Sequence, residues 1–517
     1  MAHEPVTTSV PRAQQFYDQG LAYLHSYVWI EAARSFNEAL RADRSLAMAE
    51  LGLSYALADL DDAPGARAAS ARASELAGAT TPRERFRIEL RARQLAAADK
   101  PGDAAAASAY RTRLDRVTAE FGSDVELLLL AGHAQGSGSS GQGGGSPGLG
   151  GGSAGLGMSG GSASLQYYER ARALSPDYFA IDHYLAHAYE NIGRPDAALP
   201  YAQRFAAKAS AVPHAHHMYG HVLRQLDRMP EAIAQFETAD ALHTSFAAAE
   251  RIPIDLDWHY RHNLDLLATS YQYVGQMRKA AGLLRQSFDL PASGHFGHEQ
   301  DVNKRAWPLF LLGRGRTAEA LAASVVLQGH SSPVVQALGH ILASRALQTS
   351  GRLDEAAAEG NLALRQMRAA GPAGGTLVPD FELAQGAYLL RTGDAGAGGT
   401  ELRAGVTKLM ADSSPDAWIT TVFQLESAVR TARESGQPAL AADLASLLHL
   451  HAPSYAGTHY LLGQLADGRS DRAAARTAFA EAVARWSDAD PDLPEAVEAR
   501  ARLAALGGVP PAAGPRK

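Results

Sequence analysis

The residues of this chain that could carry chemistry are histidines that recur at a fixed spacing. The chain has 19 histidines among 517 residues. His183 and His217 are 34 residues apart, and His187 and His221 are separated by the same 34 residues. Because two pairs share one separation, these four histidines occupy equivalent positions in neighbouring repeats. His214, which precedes the second pair, adds a fifth imidazole.

A third segment continues this series with one substitution. In "HYRHNLDLLATSY", His262 lies 48 residues after His214, and Asp265 lies 48 residues after His217. The longer shift corresponds to one repeat plus an insertion, so we expect the three segments to be neighbours. A carboxylate therefore takes the place of an imidazole in the third segment.

Helical geometry predicts that these residues share one face. At 100° per residue, His214, His217 and His221 fall within about 60° of one another. Glu190 and Arg224, each one helical turn beyond a small residue, are predicted to lie on the same face. The axes of packed helices lie about 8–10 Å apart. We therefore expect side chains from two or three helices to converge.

A cluster of imidazoles and carboxylates is suited to a transition metal such as zinc, iron, copper or nickel. The chain has no cysteine, so any metal would be held by His, Asp or Glu. Neither "HYLAH" nor "HMYGH" is a zinc-protease motif, because no Glu follows the first histidine. Whether the protein is an enzyme therefore stays open. The candidate metal ligands are His183, His187, Glu190, His214, His217, His221 and His262.

The same face can also bind a ligand without a metal. Imidazoles donate and accept hydrogen bonds, and they attract carboxylates when they become charged near pH 6.5. Three interpretations are thus open: a metal-free binding groove, a metal-dependent site, and a purely architectural protein in which the histidines have no direct function. The candidate ligand-binding residues are His183, His187, Glu190, His214, His217, His221, Arg224, His262 and Asp265.

Small and aromatic residues indicate the elements that position these side chains. In "FYDQGLAYLHSYVWIEAARSFNEAL", Gly20 and Tyr23 stand in a first helix, and Ala32 and Phe36 stand in a second helix. This pattern resembles the tetratricopeptide family, whose repeats of about 34 residues form helix pairs. The resemblance implies an all-α, tetratricopeptide-like α-solenoid, a right-handed superhelix of antiparallel helix pairs. It also implies that the first helices line a concave groove that binds a peptide or protein segment.

A narrower resemblance is carried by the histidine segments themselves. The sequences "HHMYGHVLRQLDRMPEAIA" and "YRHNLDLLATSYQYVGQ" are similar to bacterial tetratricopeptide proteins with histidine-rich first helices and an HNL signature. Asp265 departs from the histidine that this resemblance implies at its position. The resemblance implies no defined activity.

The repeat pattern extends along most of the chain and is interrupted once. We expect about eight to ten helix pairs. The interruption is a run of Gly and Ser, which cannot bury enough apolar surface to order itself, and it falls between the two helices of one pair. The predicted divisions are a disordered N-terminus at 1–11, N-terminal helix pairs at 12–135, a flexible Gly/Ser-rich loop at 136–162, central repeats with the histidine-lined groove at 163–290, C-terminal repeats with a capping helix at 291–506, and a disordered tail at 507–517.

Composition and charge exclude some classes of protein. The formal net charge of -7 argues against a nucleic-acid-binding protein, which needs a basic surface for phosphates. No run of about 18 apolar residues predicts insertion into a membrane. The absence of an export signal favours the cytoplasm, whereas a chain whose signal peptide had been removed would be periplasmic or secreted. The leading prediction is a soluble binding scaffold for a peptide, a protein segment or a small anionic ligand, and the alternative is a metal-dependent enzyme or metal-binding protein.

Overall fold

Every regular element in the described part of the chain is a helix. Within that part, none of the helices is long and apolar enough to cross a membrane. The predicted all-α class is confirmed. Most of the Gly/Ser-rich loop and most of the predicted tail lie outside the described residues. The computed structural model describes residues 3–100, 103–136, 161–291, 301–412 and 416–508.

The first compact unit comprises residues 1–252 and 413–415. Its helices form six consecutive pairs in which each first helix packs against the second. A short 3₁₀ segment, Ala77–Ala79, follows the fourth helix. The pairs are α1 (Pro11–Leu24) with α2 (Trp29–Ala42), α3 (Ala47–Asp59) with α4 (Ala63–Leu76), α5 (Pro82–Ala98) with α6 (Ala104–Glu120), α7 (Val125–Gly136) with α8 (Ser162–Leu174), α9 (Phe179–Asn191) with α10 (Pro195–Lys208), and α11 (Pro213–Gln225) with α12 (Met229–Glu250).

The second compact unit comprises residues 253–412 and 416–517. Among its described residues, six pairs are followed by a final helix. Short 3₁₀ segments lie at Ile254–Leu256, Asn303–Arg305 and Gly371–Leu377. The helices are α13 (Trp258–Tyr273) with α14 (Met277–Asp289), α15 (Ala306–Gly313) with α16 (Thr317–Gln328), α17 (Pro333–Thr349) with α18 (Leu353–Ala369), α19 (Val378–Thr392) with α20 (Ala395–Ala411), α21 (Ala417–Glu434) with α22 (Pro438–His451), α23 (Ala456–Gly468) with α24 (Arg472–Arg485), and the final α25 (Pro494–Ala505).

Consecutive helix pairs make each unit a tetratricopeptide-like α-solenoid. The described residues contain six pairs in each unit, more in total than the eight to ten predicted. The α3–α4 pair shows why some were missed. Its second helix has the buried Ser70 at the position where the first pair has Phe36, between the buried Ala66 and Ala73. The pair therefore lacked the sequence signal by which the others were found.

Contact between glycine and phenylalanine holds the clearest pairs together. A Cβ added to Gly20 would lie 2.7 Å from Phe36, and a Cβ added to Gly220 would lie 2.8 Å from Phe236. Contacts this short leave no room for a larger residue, so glycine allows the two helices to approach each other. Both phenylalanines are fully buried. The predicted role of the small and aromatic positions is thus observed at these contacts.

The turn within a helix pair passes through a residue with positive φ in most pairs. This left-handed conformation ends the first helix, and glycine adopts it at little cost. Glycine has this role in six pairs, whereas four pairs use a larger residue, of which Tyr27, at φ 58°, is the bulkiest. The positions are Gly193, Gly275, Gly315, Gly351, Gly393 and Gly436, together with Tyr27, Asp61, Asp227 and Ser470.

Residues 3–10, assigned from the sequence to a disordered N-terminus, contact α5. The amide of Thr7 donates a hydrogen bond to Glu84 Oε1 at 2.7 Å. The guanidinium of Arg87 donates to Glu4 Oε1 at 2.9 Å. These hydrogen bonds hold the segment that precedes α1 against α5.

In each unit, the last elements contact the first helix pair. In the first unit, the Arg34 guanidinium of α2 lies 3.0 Å from the Glu250 carboxylate at the end of α12. In the second unit, the Asp490 amide, after α24, donates a hydrogen bond to the Gly275 carbonyl at 3.0 Å. The last elements of each unit therefore contact its first pair. Side chains of the first helices face the interior that this closure creates.

Candidate functional site

Three of the predicted histidines meet in the first unit. His183 and His187 stand one turn apart on α9, and His214 stands in the first turn of α11. The Nε2 atoms of His183 and His214 are 3.0 Å apart, and those of His187 and His214 are 3.4 Å apart. One nitrogen of each ring lies within 4.8 Å of the other two. The expected cluster is therefore present, and these three residues are called the histidine cluster below.

The histidine cluster is buried and does not lie on an open groove wall. His183 has no exposed surface, and His187 and His214 are 8% and 3% exposed. Tyr27, in the α1–α2 turn, covers the cluster, with its ring centroid 4.6 Å from that of His183 and 5.1 Å from that of His214. The open face expected from the sequence is thus closed. The sequence could not predict this cover, because the spacing of histidines along α9 and α11 says nothing about the α1–α2 turn, which is far away in the chain.

Phe205 and a backbone carbonyl orient His183. Phe205 of α10 stacks on His183 with ring centroids 4.5 Å apart. His183 Nδ1 lies 2.7 Å from the carbonyl oxygen of His25, so Nδ1 carries the proton that it donates there, and Nε2 keeps a lone pair. Burial lowers the pKa of His183 well below its usual value, and the nearby His187 lowers it further. The ring is therefore neutral at physiological pH.

His217, His221 and Glu190 extend the buried polar region along α11. The His217 ring centroid lies 5.7 Å from those of both His214 and His221. His221 Nδ1 is hydrogen-bonded to the Glu190 carboxylate of α9. Arg224, at the end of α11, is fully buried. The predicted residues of the first unit thus share its interior.

A second buried polar group was not apparent from the repeat spacing. His25 Nδ1 lies 2.7 Å from the Tyr184 hydroxyl, and His25 Nε2 lies 2.9 Å from Glu126 Oε2. The Tyr178 hydroxyl donates to Glu126 Oε1 at 2.8 Å. Burial alone raises the pKa of Glu126, but His25 and the other partners outweigh it and lower the pKa to about 2. No histidine at repeat spacing marks His25, so only the closure of the first unit reveals this group.

His262 and Asp265, the remaining predicted residues, belong to α13 and line a cavity of the second unit. The cavity has a volume of about 410 Å³. Its walls come mainly from first helices, namely α13, α15, α17, α19 and α21. His262 Nε2 lies 3.6 Å from Asp416 Oδ1 at this surface. First helices of the second unit therefore line a cavity of their own.

Asp265 titrates near neutrality because it is enclosed. Its carboxylate accepts a hydrogen bond from Ser287 Oγ at 2.6 Å. Burial raises the pKa of Asp265 to about 7, and the negative charge of Asp416 acts in the same direction. Ser287 and the positive charges of Arg261 and Lys304 oppose this rise. The charge at this end of the cavity therefore changes over the physiological pH range.

Arginines contribute the positive charge of the cavity lining, and three of them are already neutralised. An arginine held beside a carboxylate has little attraction left for another anion. The neutralised pairs are Arg305 with Asp380 at 3.0 Å, Arg314 with Glu495 at 2.5 Å, and Arg430 with Glu426 at 2.6 Å.

Arg345 and Arg391 differ from these three arginines. Arg345 donates hydrogen bonds to Gln424 Oε1 and Ser427 Oγ, both at 2.8 Å, and neither partner is charged. Arg391 donates only a long bond, 3.5 Å, to the Ala387 carbonyl. Within the described residues, neither guanidinium is at ion-pair distance from a carboxylate. Burial lowers the pKa of Arg345 to about 10, and the charge of Arg391 contributes to this shift, so both arginines are charged at neutral pH.

Comparisons with known proteins add little to this geometry. No protein-family model matches the chain, and no curated protein is significantly similar to it. Among solved structures, yeast Tom70 is similar at a TM-score of 0.34 and 12% sequence identity, over 96% of this chain and 95% of that chain. A similarity this low carries no argument about function. The assignment of a tetratricopeptide-like architecture rests on the helix pairs themselves.

Proposed function

We propose that the protein is a helical-repeat binding scaffold whose second unit holds the carboxylate of a protein segment in its cavity. The observation that carries this proposal is the pair formed by Arg345 and Arg391. Both guanidiniums line the cavity, and within the described part of the chain neither is at ion-pair distance from a carboxylate. A bound carboxylate supplies that partner.

Electrostatics favour an anion beside these two arginines. Arg391 is close enough to Arg345 for its charge to lower the pKa of Arg345. Asp380 attracts Arg345, and Glu434 attracts Arg391, but neither carboxylate is within ion-pair distance of that guanidinium. A partly enclosed charge without a counter-charge at ion-pair distance is costly, and a guanidinium binds a carboxylate through two parallel hydrogen bonds. A carboxylate therefore gains charge-assisted hydrogen bonds here that a neutral group does not.

The apolar part of the cavity favours a peptide over an inorganic anion. Leu266, Phe310, Ile419 and Phe423 line the same cavity as the two arginines. Its volume, about 410 Å³, lies in the range of sites that enclose small ligands or a few residues of a peptide. A C-terminus whose last residue is apolar combines a carboxylate with an apolar side chain and so matches both parts of the lining. A small carboxylic acid carries the same anionic group, and the experiment below separates the two.

Selection from a library of random short peptides with free C-termini tests this proposal. We expect the full-length protein to enrich sequences whose synthetic free acid binds about tenfold or more tightly than the corresponding C-terminal amide. The expected ratio reflects a charge-assisted hydrogen bond, which contributes about 1.5–3 kcal/mol. Arg345→Gln and Arg391→Gln should each weaken binding of the free acid about tenfold or more. Fluorescence anisotropy with labelled peptides measures these affinities.

Arg368→Gln is the matched control, because Arg368 is exposed on α18 outside the cavity. It is expected to bind the selected peptides with wild-type affinity. The proposal is wrong if free acids and amides bind equally well, or if the cavity variants keep full affinity. A small dicarboxylate that binds as tightly as the peptides would assign the cavity to a small anionic ligand and remove the protein segment from the proposal.

A further inference from the structure

The histidine cluster has the spacing of a tetrahedral metal site. With metal–nitrogen distances of about 2.0–2.1 Å, two adjacent nitrogens of a tetrahedral zinc site are about 3.3 Å apart. The Nε2 separations of 3.0 Å between His183 and His214 and 3.4 Å between His187 and His214 lie on either side of this value. Imidazoles that serve only to fill a core have no reason to direct three nitrogens to one point.

The three Nε2 atoms cannot all be hydrogen-bonded to one another at once, whereas one metal ion can bind all three. His183 donates through Nδ1 to the His25 carbonyl, so its Nε2 has a lone pair and no proton. His214 Nε2 faces the Nε2 atoms of both His183 and His187. A neutral imidazole has one N–H, so His214 Nε2 can donate to only one of them. A metal ion accepts the lone pairs of all three rings at once.

The surroundings hold the His183 ring as the surroundings of a metal ligand do. A histidine that binds a metal usually donates its second ring nitrogen to a carbonyl or carboxylate, which fixes the orientation of the ring. The carbonyl of His25 does this for His183. Phe205 stacks on one side of His183, and Tyr27 covers the cluster from the α1–α2 turn. The site is therefore oriented and shielded from bulk water.

We propose that His183, His187 and His214 bind a divalent transition-metal ion through their Nε2 atoms, with Zn²⁺ as the ion that fits best. Imidazole ligands suit zinc, copper and nickel, and zinc commonly binds three protein nitrogens in a tetrahedral site. Three protein nitrogens leave the fourth position to a water molecule or another small ligand. The proposal concerns the first unit and does not depend on peptide binding by the second.

The ion joins neighbouring helix pairs of the first unit. His183 and His187 come from the α9–α10 pair, and His214 comes from the α11–α12 pair. Glu190, one turn beyond His187 on α9, is hydrogen-bonded to His221 of α11, so this contact joins the same two helix pairs. The role that follows for the metal is to hold α9 and α11 together beneath the α1–α2 turn.

Metal analysis of the full chain, purified without a histidine tag, tests this inference. We expect about one zinc per chain by plasma mass spectrometry, and the same content after metal-free protein is reloaded with Zn²⁺ alone. Zinc at about a hundred times its Kd should raise the Tm of the first unit by roughly 5 °C or more, since it binds only the folded state. Co²⁺ in place of zinc is expected to produce the intense visible absorption of tetrahedral cobalt.

Two ligand variants and one control locate the metal. His187→Ala and His214→Ala are each expected to lower zinc affinity about tenfold or more. His449→Ala, an exposed change on α22, should keep the wild-type zinc content. Circular dichroism separates loss of metal from loss of fold. The cobalt spectrum uses the wild-type protein and therefore decides the question even if a variant does not fold.

Either of two results would overturn the inference. One is reloaded wild-type protein with no zinc above background and no visible cobalt band, which would make the three imidazoles a metal-free packing cluster. The other is full zinc content in both ligand variants, which would place the metal elsewhere. Peptide affinity measured in the second unit distinguishes failure of this inference from failure of the proposed function.

Discussion

Burial decides what each ionisable group of the first unit can do. His183 is enclosed and donates through Nδ1, so it presents a neutral lone pair at Nε2. Glu126 is enclosed as well, yet it stays ionised because His25 and Tyr178 are hydrogen-bonded to it. Residue type and repeat spacing predicted that imidazoles would gather. Residue type and spacing could not predict that His183 is neutral and Glu126 ionised, because His25 lies 158 residues from His183 and 101 residues from Glu126 in the chain.

Glu126→Gln is expected to destabilise the protein at pH 7 and to have a smaller effect at pH 3. The pKa of Glu126 is about 2 in the folded chain and about 4.3 when the chain is unfolded. A carboxylate with a lowered pKa contributes stability above its unfolded value, and this contribution is lost as the pH falls towards the folded value. At pH 7 the loss should be on the order of 3 kcal/mol in the free energy of unfolding.

Urea denaturation at the two pH values measures this difference. Glu75→Gln, an exposed change on α4, is the control and should leave the unfolding curve unchanged at both. If Glu126→Gln lowered the free energy of unfolding by the same amount at pH 3 and pH 7, the ionised carboxylate would not be the source of the stability.

Among the elements, the α1–α2 turn is the one that gives the first unit its closed interior. Six other pairs turn through glycine, whereas Tyr27 adopts the left-handed conformation here, at a cost of about 1–2 kcal/mol. The Tyr27 ring is 3% exposed and lies against all three rings of the histidine cluster. Burial of the ring offsets the backbone strain. The α1–α2 turn therefore covers the histidine cluster as well as connecting the two helices.

Tyr27→Gly is expected to destabilise the first unit even though it relieves backbone strain. Loss of a buried aromatic side chain costs about 3–5 kcal/mol, which exceeds the relief of about 1–2 kcal/mol. Asp61→Gly changes the equivalent, exposed position of the α3–α4 pair and should shift the free energy of unfolding by less than about 1 kcal/mol. Urea denaturation compares the two variants. Equal effects would mean that Tyr27 acts only as a turn residue.

Repeat pattern predicted the helix pairs but not the charged cavity. Gly20 and Phe36 stand at fixed offsets within one repeat, so their contact could be predicted from the sequence. Arg345 and Arg391 lie on α17 and α19, where successive turn glycines, Gly351 and Gly393, are 42 residues apart instead of 34. Because these repeats are longer and unequal in length, the two arginines could not be aligned with each other from the sequence. Their uncharged hydrogen-bond partners are apparent only from the structure.

For the molecule as a whole, the two compact units carry different chemistry. The interior of the first unit is filled by imidazoles and aromatic rings around the histidine cluster. The second unit has a cavity of about 410 Å³, and two of the arginines in its wall, Arg345 and Arg391, lie beyond ion-pair distance of any carboxylate in the described residues. Each unit has six helix pairs and its own fully buried phenylalanines, such as Phe205 in the first and Phe479 in the second. We therefore expect each unit to unfold as a cooperative body.

Calorimetry of the full chain is expected to resolve two unfolding transitions. Phe205→Ala should lower only one of them and Phe479→Ala only the other, since removing a buried phenylalanine costs about 3–5 kcal/mol within its own core. Val326→Ala, at a position that is 62% exposed, should shift neither. A single transition that both phenylalanine changes lower equally would contradict two independent bodies.

A double-mutant cycle tests most directly whether Arg345, in the cavity of the second unit, binds the carboxylate of a peptide. A selected peptide is measured as its free acid and as its amide, against the wild-type protein and Arg345→Gln. If Arg345 binds the carboxylate, the acid and the arginine should be coupled by about 1.4 kcal/mol or more, a tenfold effect, and the amide should lose almost nothing on the substitution. Additive effects, with acid and amide weakened equally by Arg345→Gln, would contradict the account.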